Sequence, residues 1–423
     1  MDRRDFIGGS AASGIMLLSA RTAFGYEANS TVRIGLLGCG ARGTAVATSF
    51  AKNTPARIVA LADLFPDQLA AAKAHFDELN TSLGVPAIDP SLMFRGYRAF
   101  EDLAASSAID SIQISTPPWF HVQHLEAVVA AGKHAYCEKP LGVDVAQAKH
   151  ALEIGKRAEG RVSLDVGFQV RSAPPIAEVV RRIHAGDVGK IVCIEAHYNA
   201  PNAVSHTGSN WSADEFRLRN WLWDRTLSGD ILVEQNIHVI DLCNWILGSH
   251  PIQATATGGR NAITRPGDTW DNYQVIYTYP DDVHVSFSST QWGANGFFDV
   301  TERVFGTKAI AEAPYSGPVR IIGENAWQWQ AQDVAPSAGK PSTFAANGAF
   351  TDNLEFADRE KDRAFIESIT SGKFHHQAEA GVESALSCML GRMAGQRGHE
   401  VTWDEQLRHG ERYSMTIDMR QFS

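Results

Sequence analysis

Three glycines near the start of the chain have the spacing of a loop that binds a dinucleotide. Gly38, Gly40 and Gly43 follow the apolar segment VRIGLLG, which predicts a β-strand, and open CGARGTAVATSFAK, which predicts a helix. Glycines let the backbone approach a pyrophosphate, and the start of a helix offers free N–H groups to it. Asp63, at the end of the next predicted strand, would bind the ribose hydroxyls of the adenosine.

The charges at this loop indicate which dinucleotide it prefers. The carboxylate of Asp63 would repel a 2′-phosphate, which favours NAD over NADP. The cationic side chain of Arg42 leaves NADP possible. Ala41 and Arg42 complete the loop between the second and third glycines, and both are predicted to bind the cofactor.

A lysine stands at a rigid corner after another predicted strand. In AYCEKPLG, Pro140 fixes its own φ and pushes the backbone of Lys139 toward an extended conformation. Ligands of a doubly wound sheet bind outside the carboxyl ends of its strands, so Glu138 and Lys139 are predicted to adjoin the cofactor. The segment STPPWFH ends the preceding strand and adds three candidate cofactor-binding residues: Thr116, Pro117 and His121.

A third group of ionisable side chains lies in GDILVEQNIHVIDLCNWILG, an apolar segment that predicts one buried helix. Glu234, His238 and Asp241 are spaced i, i+4 and i+7 and would lie on one stripe. Buried ionisable groups need partners or a functional cleft. A carboxylate one turn from an imidazole can orient the ring, so we expect His238 to act as a general base supported by Glu234. A structural histidine is the alternative.

The elements that must position these residues follow two patterns. Residues 30–150 alternate strands with helices, which predicts an α/β Rossmann domain with a doubly wound parallel sheet. Residues 151–423 contain consecutive strands rich in Thr, Val and Tyr, which predict an α+β domain with an antiparallel sheet. Residues 311–353 show little periodicity and are expected to form a loop.

Composition excludes several classes of function. The 423 residues are too many for one ordinary core, which agrees with two domains. A formal net charge of −10 argues against nucleic acid as a partner. No metal site is predicted, because the His and Cys residues lack clustered ligand spacing. The five cysteines form no CxxC pair and are expected to be buried thiols without a disulfide framework.

The first 27 residues resemble a twin-arginine export signal. Arg3 and Arg4 precede Phe6 and Ile7, and the apolar stretch that follows is too short to span a bilayer. An ordinary secretory signal or a disordered tail is the alternative. We expect an exported, periplasmic protein whose mature chain has no stable membrane insertion.

Several segments, taken in order, resemble the Gfo/Idh/MocA oxidoreductase family: GLLGCGARG, STPPWFH, AYCEKPLG, VGFQVRSAP, EQNIHVIDLCNW and VFGTKAIAE. The resemblance implies a Rossmann domain followed by a domain with a large open antiparallel sheet that commonly mediates homo-oligomerisation. It also implies hydride transfer between NAD or NADP and a sugar or cyclic polyol. Lys139 would lie between nicotinamide and substrate, and His238 would be the proton acceptor.

The same resemblance identifies candidate substrate-binding residues: Gln169, Arg171, Asn236 and Asp241. Gln169 and Arg171 match a segment that lines the domain interface in the family. Two positions depart from the family pattern, since Glu234 replaces an aspartate and Asn236 stands where glycine is common. These departures leave the substrate open.

Three functions remain open at this point. The leading one is an oxidoreductase with tightly bound cofactor, because an exported enzyme works where no nicotinamide pool is available. The second is a glycoside hydrolase or lyase that uses bound NAD for a transient oxidation, and the third is a non-catalytic sensor. The intact Glu138-Lys139-Pro140 sequence favours the first. Three tryptophans could stack on a sugar but are expected to pack in the core: Trp211, Trp221 and Trp223.

Overall fold

The computed structural model describes residues 31–201, 205–293, 297–330 and 352–422, so the predicted export signal lies outside the described residues. These ranges contain one sheet of six strands and one of nine. The first is parallel and the second is largely antiparallel. The predicted fold class is therefore confirmed.

The first sheet carries its helices in βαβ units. Its strands are β1 (Arg33–Leu37), β2 (Arg57–Asp63), β3 (Met93–Arg95), β4 (Ser111–Ile114), β5 (His134–Cys137) and β6 (Leu164–Val166). Its helices are α1 (Ala41–Asn53), α2 (Pro66–Ser82), α3 (Ala99–Ala105), α4 (His121–Ala130) and α5 (Val145–Ala158). The order β3-β2-β1-β4-β5-β6 places the change of winding direction between β1 and β4. The sheet extends past the predicted domain boundary at residue 150, which falls within α5.

The second sheet contains two strands of 11 residues and several shorter ones. Its members are β7 (Ile191–Pro201), β8 (Gln253–Gly259), β9 (Asn272–Tyr279), β10 (Val283–Gly293), β11 (Asp299–Gly306), β12 (Ala309–Glu312), β13 (Arg320–Gly323), β14 (Trp327–Gln328) and β15 (Val401–Thr402). Their order is β14-β13-β12-β11-β7-β10-β9-β8-β15, with β7 and β10 parallel. Strands β13 and β14 lie in the segment predicted to be a loop. With four and two residues, they are too short to show a periodicity.

The remaining helices cover one face of this sheet or return to the first domain. They are α6 (Pro174–His184), α7 (Ala213–Arg219), α8 (Arg225–Ser228), α9 (Ile231–Glu234), α10 (Ile237–Leu247), α11 (Ala357–Ser371), α12 (Ala378–Arg397) and α13 (Trp403–His409). Within the described ranges, no helix has the length and hydrophobicity needed to cross a bilayer. All five cysteines are free thiols and four of them are buried, as predicted.

Helix α11 belongs by sequence to the second half but packs in the first domain against α1. Phe365, on α11, is fully buried, and its ring centroid lies 5.9 Å from those of both Phe50 and Tyr136. The core on one side of the parallel sheet is thus completed from the far end of the chain.

Replacing Phe365 by alanine should destabilise the whole protein. We expect a loss of about 3–5 kcal/mol in the free energy of unfolding, because the change leaves a cavity between α11 and the sheet. Chemical unfolding followed by circular dichroism would measure it. Phe297→Ala is the matched control, since that ring is 51% exposed. Equal effects of the two changes would contradict the packing described here.

Candidate active site

The glycine loop has the geometry of a phosphate cradle. Gly38 has a φ of +95°, and a Cβ there would lie 2.6 Å from the main chain of Ser115. A Cβ on Gly43 would lie 2.0 Å from the carbonyl oxygen of Gly38. A Cβ on Gly40 would meet nothing within 4 Å, so the loop opens on space there. Helix α1 starts without a side-chain cap, which leaves its first N–H groups for an anion.

Asp63 lies beside this loop at the end of β2. Its carboxylate accepts hydrogen bonds from the backbone N–H groups of Cys39 at 2.7 Å and Phe65 at 2.8 Å. Burial raises the pKa of Asp63, and these two N–H groups oppose the rise. The carboxylate is thereby fixed to the cofactor loop, where it can accept hydrogen bonds from ribose hydroxyls. Together with exposed Ala41, these residues fit the adenosine and pyrophosphate of NAD.

The guanidinium of Arg42 is bound by two carboxylates. Its Nε lies 3.1 Å from Glu138 Oε1, and its Nη1 lies 3.1 Å from Asp358 Oδ2 on α11. Burial opposes ionisation of Asp358, but the charges of Arg42 and Lys361 outweigh it and lower the pKa of Asp358. The predicted contact of Arg42 with the cofactor stays a prediction. Two carboxylates engage its guanidinium, and it joins the loop to Glu138.

The end of β4 is braced against the corner that carries Lys139. His121 is buried, with Nδ1 2.9 Å from the carbonyl oxygen of Pro140 and Nε2 2.7 Å from that of Thr116. Both ring nitrogens face backbone carbonyls, so the ring links the two strand ends, and its predicted contact with the cofactor stays a prediction. Thr116 and Pro117 are half-buried at the same edge and stay candidates for cofactor contact.

Lys139 and Glu234 form a buried ion pair between the two halves of the chain. Lys139 Nζ lies 2.6 Å from Glu234 Oε1 and also donates to the main-chain oxygen of Glu234. The two residues are 9% and 7% exposed, so the pair is almost fully removed from water. An ammonium group has three N–H donors, which leaves one for another oxygen at this position.

The segment that carries Glu234 and His238 is interrupted rather than one continuous helix. Helix α9 ends at Glu234, and the Asn236 N–H bonds the Ile231 carbonyl five residues back, at 3.0 Å. Helix α10 then starts at Ile237. The predicted stripe is therefore broken, and Glu234 bonds Lys139 instead of orienting His238. The desolvated ammonium is the stronger partner because its hydrogen bond carries a full charge.

His238 is half-buried next to this pair, with its ring edge-on to Phe168 at 6.3 Å between centroids. Its Nδ1 is buried and has no hydrogen-bond partner among the described residues. Burial lowers the pKa of His238 well below its usual value, and the nearby charges of Lys139 and Arg42 lower it further. The imidazole is thus neutral at pH 7 and able to accept a proton.

The candidate substrate residues divide into two groups. Arg171 binds Asp241 through two contacts of 2.7 and 2.8 Å, and Ser384 Oγ donates to the same carboxylate at 2.7 Å. Both oxygens of Asp241 are therefore used by protein groups, and this pair ties α10 to the domain junction. Gln169 and Asn236 are buried, and the side-chain oxygen of each has no partner among the described residues.

The three tryptophans do not form one surface on which a sugar ring could stack. Trp223 is buried, with the Arg265 guanidinium 4.5 Å from its ring. Trp211 lies 4.8 Å from the guanidinium of Arg219, and Trp221 joins a separate apolar cluster. In the described part of the chain, no group of three or more His, Cys, Asp or Glu residues is arranged to hold a metal ion.

The loop, the strand-end lysine and the half-buried imidazole define a dinucleotide-binding enzyme, and comparisons with known proteins agree. The profile "Oxidoreductase family, NAD-binding Rossmann fold" matches residues 32–166, and "GFO/IDH/MocA C-terminal domain" matches residues 176–312. Inositol 2-dehydrogenase of Rhizobium meliloti is 28% identical over 294 residues, 69% of this chain and 78% of that protein. The chain belongs to the GFO/IDH/MocA family of NAD-binding oxidoreductases, as predicted.

Solved structures show the same fold at low identity. Aldose-aldose oxidoreductase from Caulobacter crescentus, complexed with glycerol, matches with a TM-score of 0.67 and 19% identity. A levoglucosan dehydrogenase complexed with NADH and levoglucosan matches with a TM-score of 0.67 and 18% identity. In both cases the match covers 88% of this chain and 99% of the other.

Sequence reasoning missed Asp358, which holds the arginine of the cofactor loop. The two residues are 316 positions apart, and Asp358 lies in no recognisable motif. An acidic residue in the first turn of a helix is common because it complements the helix dipole, so its type gave no signal. Only the packing of α11 on α1 shows what it contacts.

Replacing Lys139 by methionine should raise the pKa of His238. The change removes a cation that lowers this pKa and leaves the carboxylate of Glu234 unpaired nearby, and both effects favour the imidazolium. NMR titration of the imidazole protons, assigned with His238→Gln, would measure the shift. Lys156→Met, on the exposed face of α5, is the control. An unchanged or lower pKa in Lys139→Met would contradict the electrostatic coupling.

Proposed function

We propose that the protein transfers hydride between tightly bound NAD and a hydroxyl or carbonyl carbon of a sugar or cyclic polyol. The observation that carries the proposal is the buried Lys139–Glu234 pair beside neutral His238, at the sheet edge that holds the glycine loop. The names of the relatives support the substrate class, since they include an inositol dehydrogenase and enzymes of aldoses and levoglucosan.

His238 would act on the proton of the reacting hydroxyl. Its low pKa keeps a ring nitrogen unprotonated at neutral pH, so it can take the proton as the C–H bond is broken. The ring cannot lose its orientation easily, because α10 is buried and Phe168 packs edge-on against it. In the reverse reaction the same nitrogen returns the proton to the carbonyl oxygen.

Lys139 would stabilise the negative charge that develops on the same oxygen. Glu234 fixes the ammonium through both its carboxylate and its main-chain oxygen, so little reorganisation is needed when substrate arrives. When bound, NAD supplies the hydride acceptor at its nicotinamide ring. Residues 38–43 and Asp63 would hold its pyrophosphate and ribose.

Loss of either side chain should remove most turnover while NAD binding persists. We expect His238→Ala to lower kcat by about 10²–10⁴-fold and Lys139→Ala by about 10²–10³-fold. The test uses spectroscopic detection of NADH with a panel of sugars and inositols, and NAD binding by calorimetry. His184→Ala is the control for the histidine, because that ring bonds main-chain oxygens at the end of α10.

Normal turnover in either variant would refute the role assigned to that residue. Release of a leaving group from chromogenic glycosides without net NADH would instead favour the transient-oxidation hydrolase. Mass spectrometry of nucleotide released from the denatured wild-type protein tests cofactor retention. A protein purified empty, with fast exchange of free NADH, would contradict tight binding.

Export to the periplasm fits a retained cofactor. Free thiols at all five cysteines support folding in a reducing compartment before transport, as the paired arginines Arg3 and Arg4 suggest. A folded protein could then carry NAD to a place that lacks it. We therefore propose that the cofactor is recycled within the site by a second substrate or by return of the hydride.

The outer face of the nine-stranded sheet is the surface proposed for homo-oligomerisation. Ile276 on β9, Trp292 on β10 and Ile322 on β13 are 43%, 41% and 45% exposed. These three large apolar side chains stand exposed among polar ones on that face, and the resemblance to the family, whose sheet commonly mediates homo-oligomerisation, supports the choice of this surface.

Ile276→Arg should dissociate the oligomer, because it places on that face a charge that a covering subunit would remove from water. Light scattering after size-exclusion chromatography would show the lower mass. Leu83→Arg, at a site 44% exposed near the end of α2, should leave the mass unchanged. A monomeric wild-type protein, or an unchanged mass of Ile276→Arg, would contradict this surface.

A further inference from the structure

Residues 411–422 form an extended strap that no motif explains. After α13, residues 410–418 have no helix or strand, and a 3₁₀ turn, Met419–Phe422, follows. Along residues 411–419 the odd-numbered side chains are buried or half-buried and the even-numbered ones are exposed. Such alternation is that of an extended strand, although this segment pairs with none of the described strands. Contacts other than strand pairing therefore fix its position.

Polar contacts hold the strap along its length. Tyr413 N–H donates to Asp144 at 2.7 Å, just before α5 at the carboxyl edge of the parallel sheet. Arg217 on α7 donates to Thr416 Oγ1 at 3.1 Å. Farther along, Gln421 Nε2 donates to Asp214 Oδ2 at 2.8 Å.

The inward side chains of the strap join one apolar cluster. Its buried members are Phe120, Leu218, Leu227 and Ile417. Half-buried members pack around them: Leu64, Phe65, Trp119, Trp221, Met415, Met419 and Phe422. Leu64 and Phe65 directly follow β2, and Trp119 and Phe120 follow β4. The cluster thus spans the two loops on either side of the point where the sheet changes winding direction.

That position is the mouth of the adenosine half of the nucleotide site. Asp63, the ribose-binding candidate, accepts from the N–H of Phe65, and the Phe65 ring lies 5.9 Å from that of Phe422. The guanidinium carbon of Arg219 lies 3.8 Å from the centroid of the Phe65 ring, and the same guanidinium pairs with Asp67. Phe65 is therefore held between the strap and α7.

We propose that the strap, residues 411–422, is a wall of the adenosine subsite and retains the dinucleotide. The inference rests on the proposed function and names the part of the chain that makes NAD binding tight. Met415, Met419 and Phe422 keep apolar surface that an adenine ring can cover. Dissociation then requires the strap to lift from the loops after β2 and β4.

The test is a double variant, Met419→Ser with Phe422→Ser, which keeps the anchors at Tyr413, Thr416 and Ile417. The protein is loaded with NADH and mixed with excess NAD, and energy transfer from tryptophan to NADH reports the dissociation rate. We expect dissociation at least tenfold faster, equivalent to about 1.4 kcal/mol. Arg412→Ser, on the exposed side of the strap, should leave the rate unchanged.

Binding of fragments locates the effect. The affinity for ADP should fall by a factor similar to that for NADH, whereas the affinity for nicotinamide mononucleotide should not change. An unchanged ADP affinity, or unchanged or slower NADH dissociation, would overturn the role of the strap while leaving the proposed function intact. Failure of the wild-type chain to bind NADH or ADP would overturn both.

Discussion

The arrangement of the site depends on an ion pair between Lys139 and Glu234 that lies almost entirely out of water. Removing two charges from water costs several kcal/mol for each ion, and their mutual attraction regains this only with close, well-oriented contacts. Such a pair is therefore a weak source of stability. Its consequence here is positional, because it fixes an ammonium from the parallel sheet against a short helix of the second half.

The pair also determines the state of His238. Because Glu234 bonds the lysine, no described group bonds the histidine Nδ1, and among the nearby charges that act on its pKa it is that of Asp358 that favours the cationic ring. Burial and the neighbouring cations then act in the same direction on the pKa of the imidazole. A substrate hydroxyl would enter a site that contains a fixed positive charge and a neutral base. Proton removal and charge stabilisation are thereby assigned to different groups.

The sequence was sufficient to predict the features that depend on a local pattern of residues. The glycine spacing, the strand before Asp63 and the proline after Lys139 constrain the backbone within a few residues, so their placement could be predicted. The partner of Glu234 could not, because helical spacing alone favours His238, four residues on. The irregular turn at Asn236 and the charge of a lysine 95 positions away decide the outcome. Neither leaves a periodic signal.

Prediction was limited most by contacts between the last part of the chain and the first domain. Asp358 holds the cofactor-loop arginine, Phe365 fills the core beneath α1, and the strap reaches the loop after Asp63. Each contact joins residues about 300 positions or more apart, so none forms until nearly the whole chain is available. A nucleotide site built this way is complete only in the fully folded chain. Tight retention of a cofactor would then follow from the same contacts that close the fold, as the proposed export in folded form would require.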